Sequence, residues 1–248
     1  MSSADAPRTR QEQPVSTADD ARAPIAVALD APDAETAARW ARAVTPHVAV
    51  VKVGLELFCR TGPSIVHSVR GASGAELFLD LKLHDIPNTV AGAVRAVVRL
   101  TPRFLTVHAS GGPDMVRAAV QAGEGICIAA ITVLTSLDES SLDAVGLAGP
   151  PLDAVRRLSV LAVGAGAGAL VCSPQEVAAV RAEVGPDVEL ITPGIRPTGA
   201  GSDDQARTAT PEQALADGAD LLVIGRPITG AADPGAAAAR IAASLPTR

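Results

Sequence analysis

At 248 residues, with 48% hydrophobic and 19% charged side chains, the chain is long enough for one large single-core domain and too apolar to be disordered throughout. A formal net charge of −6 disfavours a general polyanion binder, and 2% aromatics with no tyrosine offer no stacking surface for single-stranded nucleic acid. An anionic small substrate stays within reach if cations are concentrated locally.

Residues 1–22, rich in Ser, Ala, Pro and Gln with mixed charge, have neither an apolar segment nor an amphipathic period and read as a disordered leader rather than a targeting peptide. Beyond them, short apolar runs alternate with amphipathic ones. Strands are expected at 25–30, 48–53, 77–82, 104–108, 126–133, 169–172, 188–191 and 221–224. Helices are expected around 33–45, 55–70, 86–100, 113–122, 152–164, 174–184, 210–217 and 233–244. Proline or an acid marks several helix starts, as in Ala31-Pro32-Asp33, Ser173-Pro174-Gln175-Glu176 and Thr210-Pro211-Glu212. Apolar strands without clean alternation, each followed by a helix, imply a parallel sheet covered by helices. Eight such units predict an α/β chain folded as a closed (β/α)8 TIM barrel, a single domain over 23–248, ahead of an open doubly wound sheet. The Ala-rich run at 236–243 belongs to the helix that closes the ring. No strand leads into GxGxxG, and GxxxxGKS/T is absent.

Residues 158–175 carry no charge over a length at which a membrane-spanning helix is considered. The interruption Gly164-Ala165-Gly166-Ala167-Gly168 reads instead as a helix end before a buried strand, in a soluble protein with no membrane partner. Cys59, Cys127 and Cys172, odd in number and widely spaced, read as reduced core thiols of a cytoplasmic protein.

The rest of the chain is organised around residues 76–89, an apolar run that ends in charges: Asp80, Lys82 and then Asp85. On a strand Phe78, Asp80 and Lys82 share one face, and Leu77, Leu79 and Leu81 the other. A carboxylate and an ammonium facing the same space are costly unless they pair or do chemistry. Pro87 suits the first turn of a helix, which completes the build of a βα active-site loop. Asp30 ends the first strand and Lys52 lies near the end of the second, so four ionisable groups from three neighbouring strands converge on one rim. The bland alternative is a salt-bridge cluster that only closes the barrel. Barrel interiors favour branched apolar side chains, so the joint occurrence favours function.

Thr192-Pro193-Gly194-Ile195-Arg196-Pro197 follows strand seven, and Gly225-Arg226-Pro227-Ile228-Thr229-Gly230 follows strand eight. Loops in these places often hold phosphate in barrels, through glycine amides, a helix N-terminus and arginine. Arg196 and Arg226 are the expected charge-assisted donors, against the alternative of two surface arginines beside ordinary turns. Residues 196–207, rich in small side chains and including Gln205, are long enough for a lid.

Over residues 25–245 the chain resembles the orotidine 5′-monophosphate decarboxylase family. Asp80-Leu81-Lys82-Leu83-His84-Asp85-Ile86-Pro87-Asn88-Thr89 matches that family's signature, and Pro193-Gly194-Ile195-Arg196-Pro197 and Gly225-Arg226-Pro227-Ile228 match its phosphate loops. A bare DxKxxD is shared with related sugar-phosphate lyases; HDIPNT is not. The resemblance implies conversion of orotidine monophosphate to UMP and CO2 in pyrimidine biosynthesis, with no cofactor and no metal, by a homodimer. It implies that Lys82 is the proton donor, that Asp80 sits beside the substrate carboxylate, and that Asp30 and Lys52 contact the ribose hydroxyls and help hold the catalytic charge array. Asp85, helped by Thr89, is then expected to reach across the dimer interface into the partner's site. Thr135 is expected to face the pyrimidine, Arg196, Gly225 and Arg226 to bind phosphate, and Gln205 to link the lid to base and phosphate.

Loss of CO2 from C6 leaves electron density in an in-plane orbital that the ring delocalises poorly, so the protein must stabilise the carbanion electrostatically. A fixed Lys82 ammonium suits that task and can then deliver the proton. Asp80 near the departing carboxylate adds a repulsion that vanishes as neutral CO2 leaves. Phosphate binding far from the reacting carbon can drive lid closure. His84 shows no clear ligand geometry, His108 reads as a hydrogen-bonded rim histidine, His47 and His67 are uninformative, and Trp40 reads as packing. No HExxH and no Cys/His cluster with zinc spacing occurs. Two other readings stay open. One is a magnesium-dependent sugar-phosphate lyase or aldolase, which by resemblance carries an acidic metal ligand where this chain has Lys52. The other is a non-catalytic phospholigand binder, expected to lack Lys82 or an acid of the array.

Overall fold

In the computed structural model, which describes residues 22–147, 149–197 and 207–246, eight parallel strands follow chain order around a closed barrel. They are β1 (Ala23–Ala28), β2 (Val48–Gly54), β3 (Glu76–Leu83), β4 (Phe104–His108), β5 (Cys127–Ile131), β6 (Ala169–Val171), β7 (Glu189–Thr192) and β8 (Leu221–Ile224). Closure comes from β1 pairing with β8, with Ile25 against Leu222 and Val27 against Ile224. Each expected strand forms, with ends shifted by up to two residues where the ladder runs out.

The period of two sorts each strand into two cores. Ala26, Val50, Phe78, Phe104, Ala129, Ala169, Ile191 and Leu221, one from each strand, fill the barrel interior. Phe78 and Phe104 meet edge to face, with centroids 5.6 Å apart, and the alanines of β1, β5 and β6 leave room for them. The alternate set, including Ile25, Val27, Leu77, Leu79 and Leu105, packs outward against the helices. Below the aromatic layer Arg103 pairs with Glu76 and with Glu189 (2.8 Å), while its guanidinium lies 4.6 Å from the Phe104 ring centre. This cluster closes the N-terminal mouth, so the open mouth lies at the other ends of the strands.

Between strands run α1 (Ala34–Val44), α2 (Leu55–Thr61), α3 (Ser64–Ala72), α4 (Pro87–Val98), α5 (Pro113–Ala122), α6 (Glu139–Ala144), α7 (Pro151–Gly164), α8 (Val177–Val184) and α9 (Pro211–Ala216). After β8 come the short α10 (Arg226–Thr229) and then α11 (Pro234–Ser244), which packs on α1 and completes the ring. Asp33 caps α1 by accepting from the Thr36 amide at 2.7 Å, and Thr210 caps α9 through Gln213. The single helix expected over 55–70 is two, because Gly62 turns the chain at φ 67° and Pro63 follows. Helix α8 begins three residues later than expected: the Glu176 carboxylate folds back to accept the Ser173 amide at 2.8 Å. Helices α6 and α10 are additions too short to show an apolar period. The uncharged segment 158–175 is indeed a helix end and a strand, and among the described residues no helix is long and apolar enough to cross a membrane. Residues 1–21 of the expected leader lie outside the described residues; Arg22 donates to the Gly74 carbonyl at 2.9 Å.

Candidate active site

The C-terminal ends of the strands open on a cavity of about 510 Å³. Asp30, Lys52, Asp80, Lys82, Thr135, Arg196, Gly225 and Arg226 all line it, so the structure brings these eight expected residues together, with Gly194 beside them. Phe78, Ile131, Val133, Val171 and Val223 supply apolar walls between the charged groups. Alternating charges, two arginines and apolar walls in one cavity suit a ligand with polar groups on an apolar body.

The charges alternate in space as they do in sequence. Lys52 Nζ stands 3.2 Å from Asp80 Oδ2 and 3.7 Å from Asp30 Oδ1, and Lys82 Nζ stands 2.8 Å from Asp80 Oδ1. The side chains of Lys52 and Asp80 are only 9% and 12% exposed, whereas that of Lys82 is 30% exposed towards the cavity. Burial by itself would push the Asp80 carboxyl up. The Lys52 and Lys82 ammoniums beside it outweigh burial and hold it below the usual carboxylate value. Gly54 leaves the room the array needs: a Cβ there would stand 3.0 Å from Asp30 Oδ1 and 3.1 Å from Lys52 Nζ.

Lys82 sits on a distorted backbone. Its φ is 50°, in the left-handed region that costs a residue with a Cβ about 1–3 kcal/mol. The distortion coincides with a break in pairing: Leu79 faces Leu105 and Leu83 faces Val107, so β3 takes four steps where β4 takes two. The Lys82 amide, displaced from the ladder, donates to Thr106 Oγ1 at 2.8 Å, and that hydroxyl donates to Asp80 Oδ1 at 3.1 Å. Thr106 is not among the residues expected from the sequence. The signal was the alternation Phe104, Thr106, His108, which places a lone hydroxyl on the inward face of β4.

On the far wall, Gly194 turns at φ 81° and Ile195 bridges to Ala209, so both roots of the loop after β7 are pinned. The Arg196 amide donates to the Ala209 carbonyl at 2.9 Å, and the Arg196 side chain is buried. Gly225 precedes α10, whose first residue is Arg226. Gln205 lies outside the described residues. At the returning root Arg207 forms a buried ion pair with Glu176 and donates to the Leu134 carbonyl at 3.0 Å, next to Thr135. Neither Arg207 nor Glu176 was a candidate from sequence, where Glu176 reads as an acid at a helix start.

Asp85 and Thr89 do not join this cavity. Both are exposed at the start of α4, beside Ile86, which is 66% exposed. His84 and His108 approach each other, with ring centres 5.3 Å apart. Burial, then His84 and Lys82, hold the His108 imidazole below its ordinary value. Cys59, expected in the core, is exposed on α2. Burial, then Glu189, pushes the Cys127 thiol up to about 12. Burial, then Glu176, pushes Cys172 up too, so neither is a thiolate nucleophile.

A profile of the Orotidine 5′-phosphate decarboxylase / HUMPS family matches residues 23–241. The chain belongs to this family. Among relatives of this orotidine 5′-phosphate decarboxylase / HUMPS family member, orotidine 5′-phosphate decarboxylase of Thermobifida fusca (strain YX) is 73% identical over 90% of this chain and 96% of its own length. The decarboxylase of Frankia casuarinae is 63% identical over 90% and 88%. A crystal structure of orotidine 5′-phosphate decarboxylase from Lactobacillus acidophilus, 37% identical, superposes with a TM-score of 0.77 over 88% of this chain and 97% of that one.

Proposed function

We propose that this family member is a carboxy-lyase that converts orotidine 5′-monophosphate to UMP and CO2, the decarboxylation step of pyrimidine biosynthesis. The observation that carries the proposal is Asp80 held between Lys52 and Lys82 in a cavity that Arg196 and Arg226 also line. The identity to proteins named for this reaction supports it.

In this reading the nucleotide phosphate binds Arg196, Gly225 and Arg226, with Gln205 closing over it, and the pyrimidine faces Thr135. Asp30 and Lys52 take the ribose hydroxyls. The substrate carboxylate is set against Asp80, whose depressed pKa keeps it charged, so the repulsion is released when neutral CO2 departs. The Lys82 ammonium stabilises the electron pair left at C6 and then transfers its proton to that carbon. The bond from C6 to the carboxyl carbon breaks and a C6–H bond forms; the atoms balance without an electron sink. The exposed Asp85, Ile86 and Thr89 support a homodimer in which Asp85 and Thr89 complete the partner's array. The catalytic domain spans 23–248 and the leader 1–22 stands outside it.

The magnesium-dependent lyase is disfavoured by Lys52, an ammonium within 3.7 Å of both acids that a divalent cation would need. The test is to incubate the protein with orotidine monophosphate in a strong chelator and follow the ultraviolet absorbance of the base. Turnover is expected; no turnover, or turnover only after Mg2+ is restored, contradicts the proposal.

A further inference from the structure

We infer that Thr106, on the inward face of β4, is a positioning residue that sets the Lys82 ammonium and the Asp80 carboxylate for proton delivery. The inference rests on the proposed decarboxylation and adds a residue to it. Thr106 is fully buried behind Asp80 and does not line the cavity, so it acts through its neighbours and not on substrate.

The chemistry of a hydroxyl fixes its two bonds here. A backbone N–H can only donate, so Oγ1 accepts from Lys82; an ionised carboxylate can only accept, so the single hydroxyl hydrogen goes to Asp80. The Asp80 oxygen that receives it, Oδ1, also receives Lys82 Nζ at 2.8 Å. One hydroxyl therefore closes a ring that runs from the Lys82 amide through Thr106 and Asp80 to the Lys82 ammonium. The ring matters because of the conformation it encloses. At φ 50° and out of register with β4, the Lys82 amide has no strand carbonyl in the pairing pattern to accept it. Even a partly buried amide left without a partner is costly, so Thr106 makes the left-handed turn tenable. Without the hydroxyl the turn relaxes and the Lys82 side chain swings from its aim, while the arginines across the cavity stay in place.

The test is steady-state decarboxylation by Thr106→Val, which keeps the shape and removes both bonds, and Thr106→Ser, which keeps both. T106V is expected to lose about 100-fold in kcat with KM within about threefold of wild type, the signature of a misplaced catalytic group, while T106S stays within about threefold in both. Wild-type kcat in folded T106V, or equal loss in T106S and T106V, overturns the inference while leaving the decarboxylase reading intact. If the unmodified chain does not turn over orotidine monophosphate, the parent reading fails and this one falls with it. Should T106V not fold, Thr106→Cys replaces it, since a thiol matches serine in size but is a weak donor and acceptor. Loss of kcat in T106C against T106S supports the role; equal kcat refutes it.

Discussion

Lys82 Nζ lies 2.8 Å from Asp80 Oδ1 although the two residues are only two apart on one strand, a contact made at a lysine whose backbone turns to φ 50°. An undistorted strand would point both side chains the same way, about 7 Å apart. The left-handed turn and the break in register with β4 accompany the closer approach. The site therefore places strain where an ammonium must be aimed, and the surrounding hydrogen bonds hold it there.

The state of Asp80 sets a pH dependence of stability. Its folded pKa is lower than the unfolded value of 3.8, so its pairing with the lysines stabilises the fold fully above that value. The contribution is lost as pH falls from there through the lower folded value. Asp80→Asn takes the shared carboxylate from the buried Lys52 ammonium and the partly exposed Lys82 ammonium and is expected to cost about 3 kcal/mol at pH 7. Denaturant melts of both proteins from pH 7 to 3 should show a gap that is constant down to pH 4 and shrinks below it. A gap that closes between pH 7 and 5 would contradict the assignment.

Arg226 is expected to act on binding. Arg226→Ala should raise KM for orotidine monophosphate by about 10- to 100-fold, the range of one hydrogen bond to a charged group, with a smaller effect on the nucleoside lacking phosphate. Initial rates against both substrates check this. Equal losses on both would mean that the arginine does not see the phosphate.

Much of this was legible in the chain, and the reasons are physical. Eight apolar runs with helical segments between them have few closed solutions, so the barrel followed from the pattern. Asp30, Lys52, Asp80 and Lys82 were legible because charges at strand ends violate the rule for barrel interiors. Thr106 was not, since a threonine in a strand breaks no rule; its importance depends on a backbone distortion two strand positions long. Arg207 and Glu176 were hidden for another reason: they are 31 residues apart, and only the closed ring makes them neighbours. Arg103, Glu76 and Glu189 escaped notice likewise, because their cluster forms only when β3, β4 and β7 share one mouth.

The Arg207–Glu176 pair tests how far the loop root is structural. Arg207→Ala strands a buried carboxylate and is expected to cost about 3–5 kcal/mol, or roughly 6–20 °C in Tm for a chain of this size. Glu176→Leu combined with Arg207→Met should recover part of that loss, because neither charge is then left alone. Thermal melts of the single and double variants decide it. A double variant less stable than R207A would show that the Ser173 amide, which also depends on Glu176, outweighs the pair.

Asp85 tests the shared site. Mixing inactive Lys82→Ala subunits with inactive Asp85→Asn subunits gives heterodimers in which one of the two sites has both native residues, so about a quarter of wild-type activity should return at equal mixing. Activity recovered on mixing, with heterodimers confirmed by mass, supports the assignment. Confirmed heterodimers without activity would remove Asp85 from the partner's site.

The most direct measurement is turnover of orotidine monophosphate by Lys82→Ala, followed by the absorbance of the base, beside its thermal melt. Loss of at least about 10⁴-fold in kcat is expected, as general-acid and charge stabilisation are removed together, with Tm close to wild type. A folded K82A protein retaining activity within tenfold of the unmodified chain would contradict Lys82 as the proton donor.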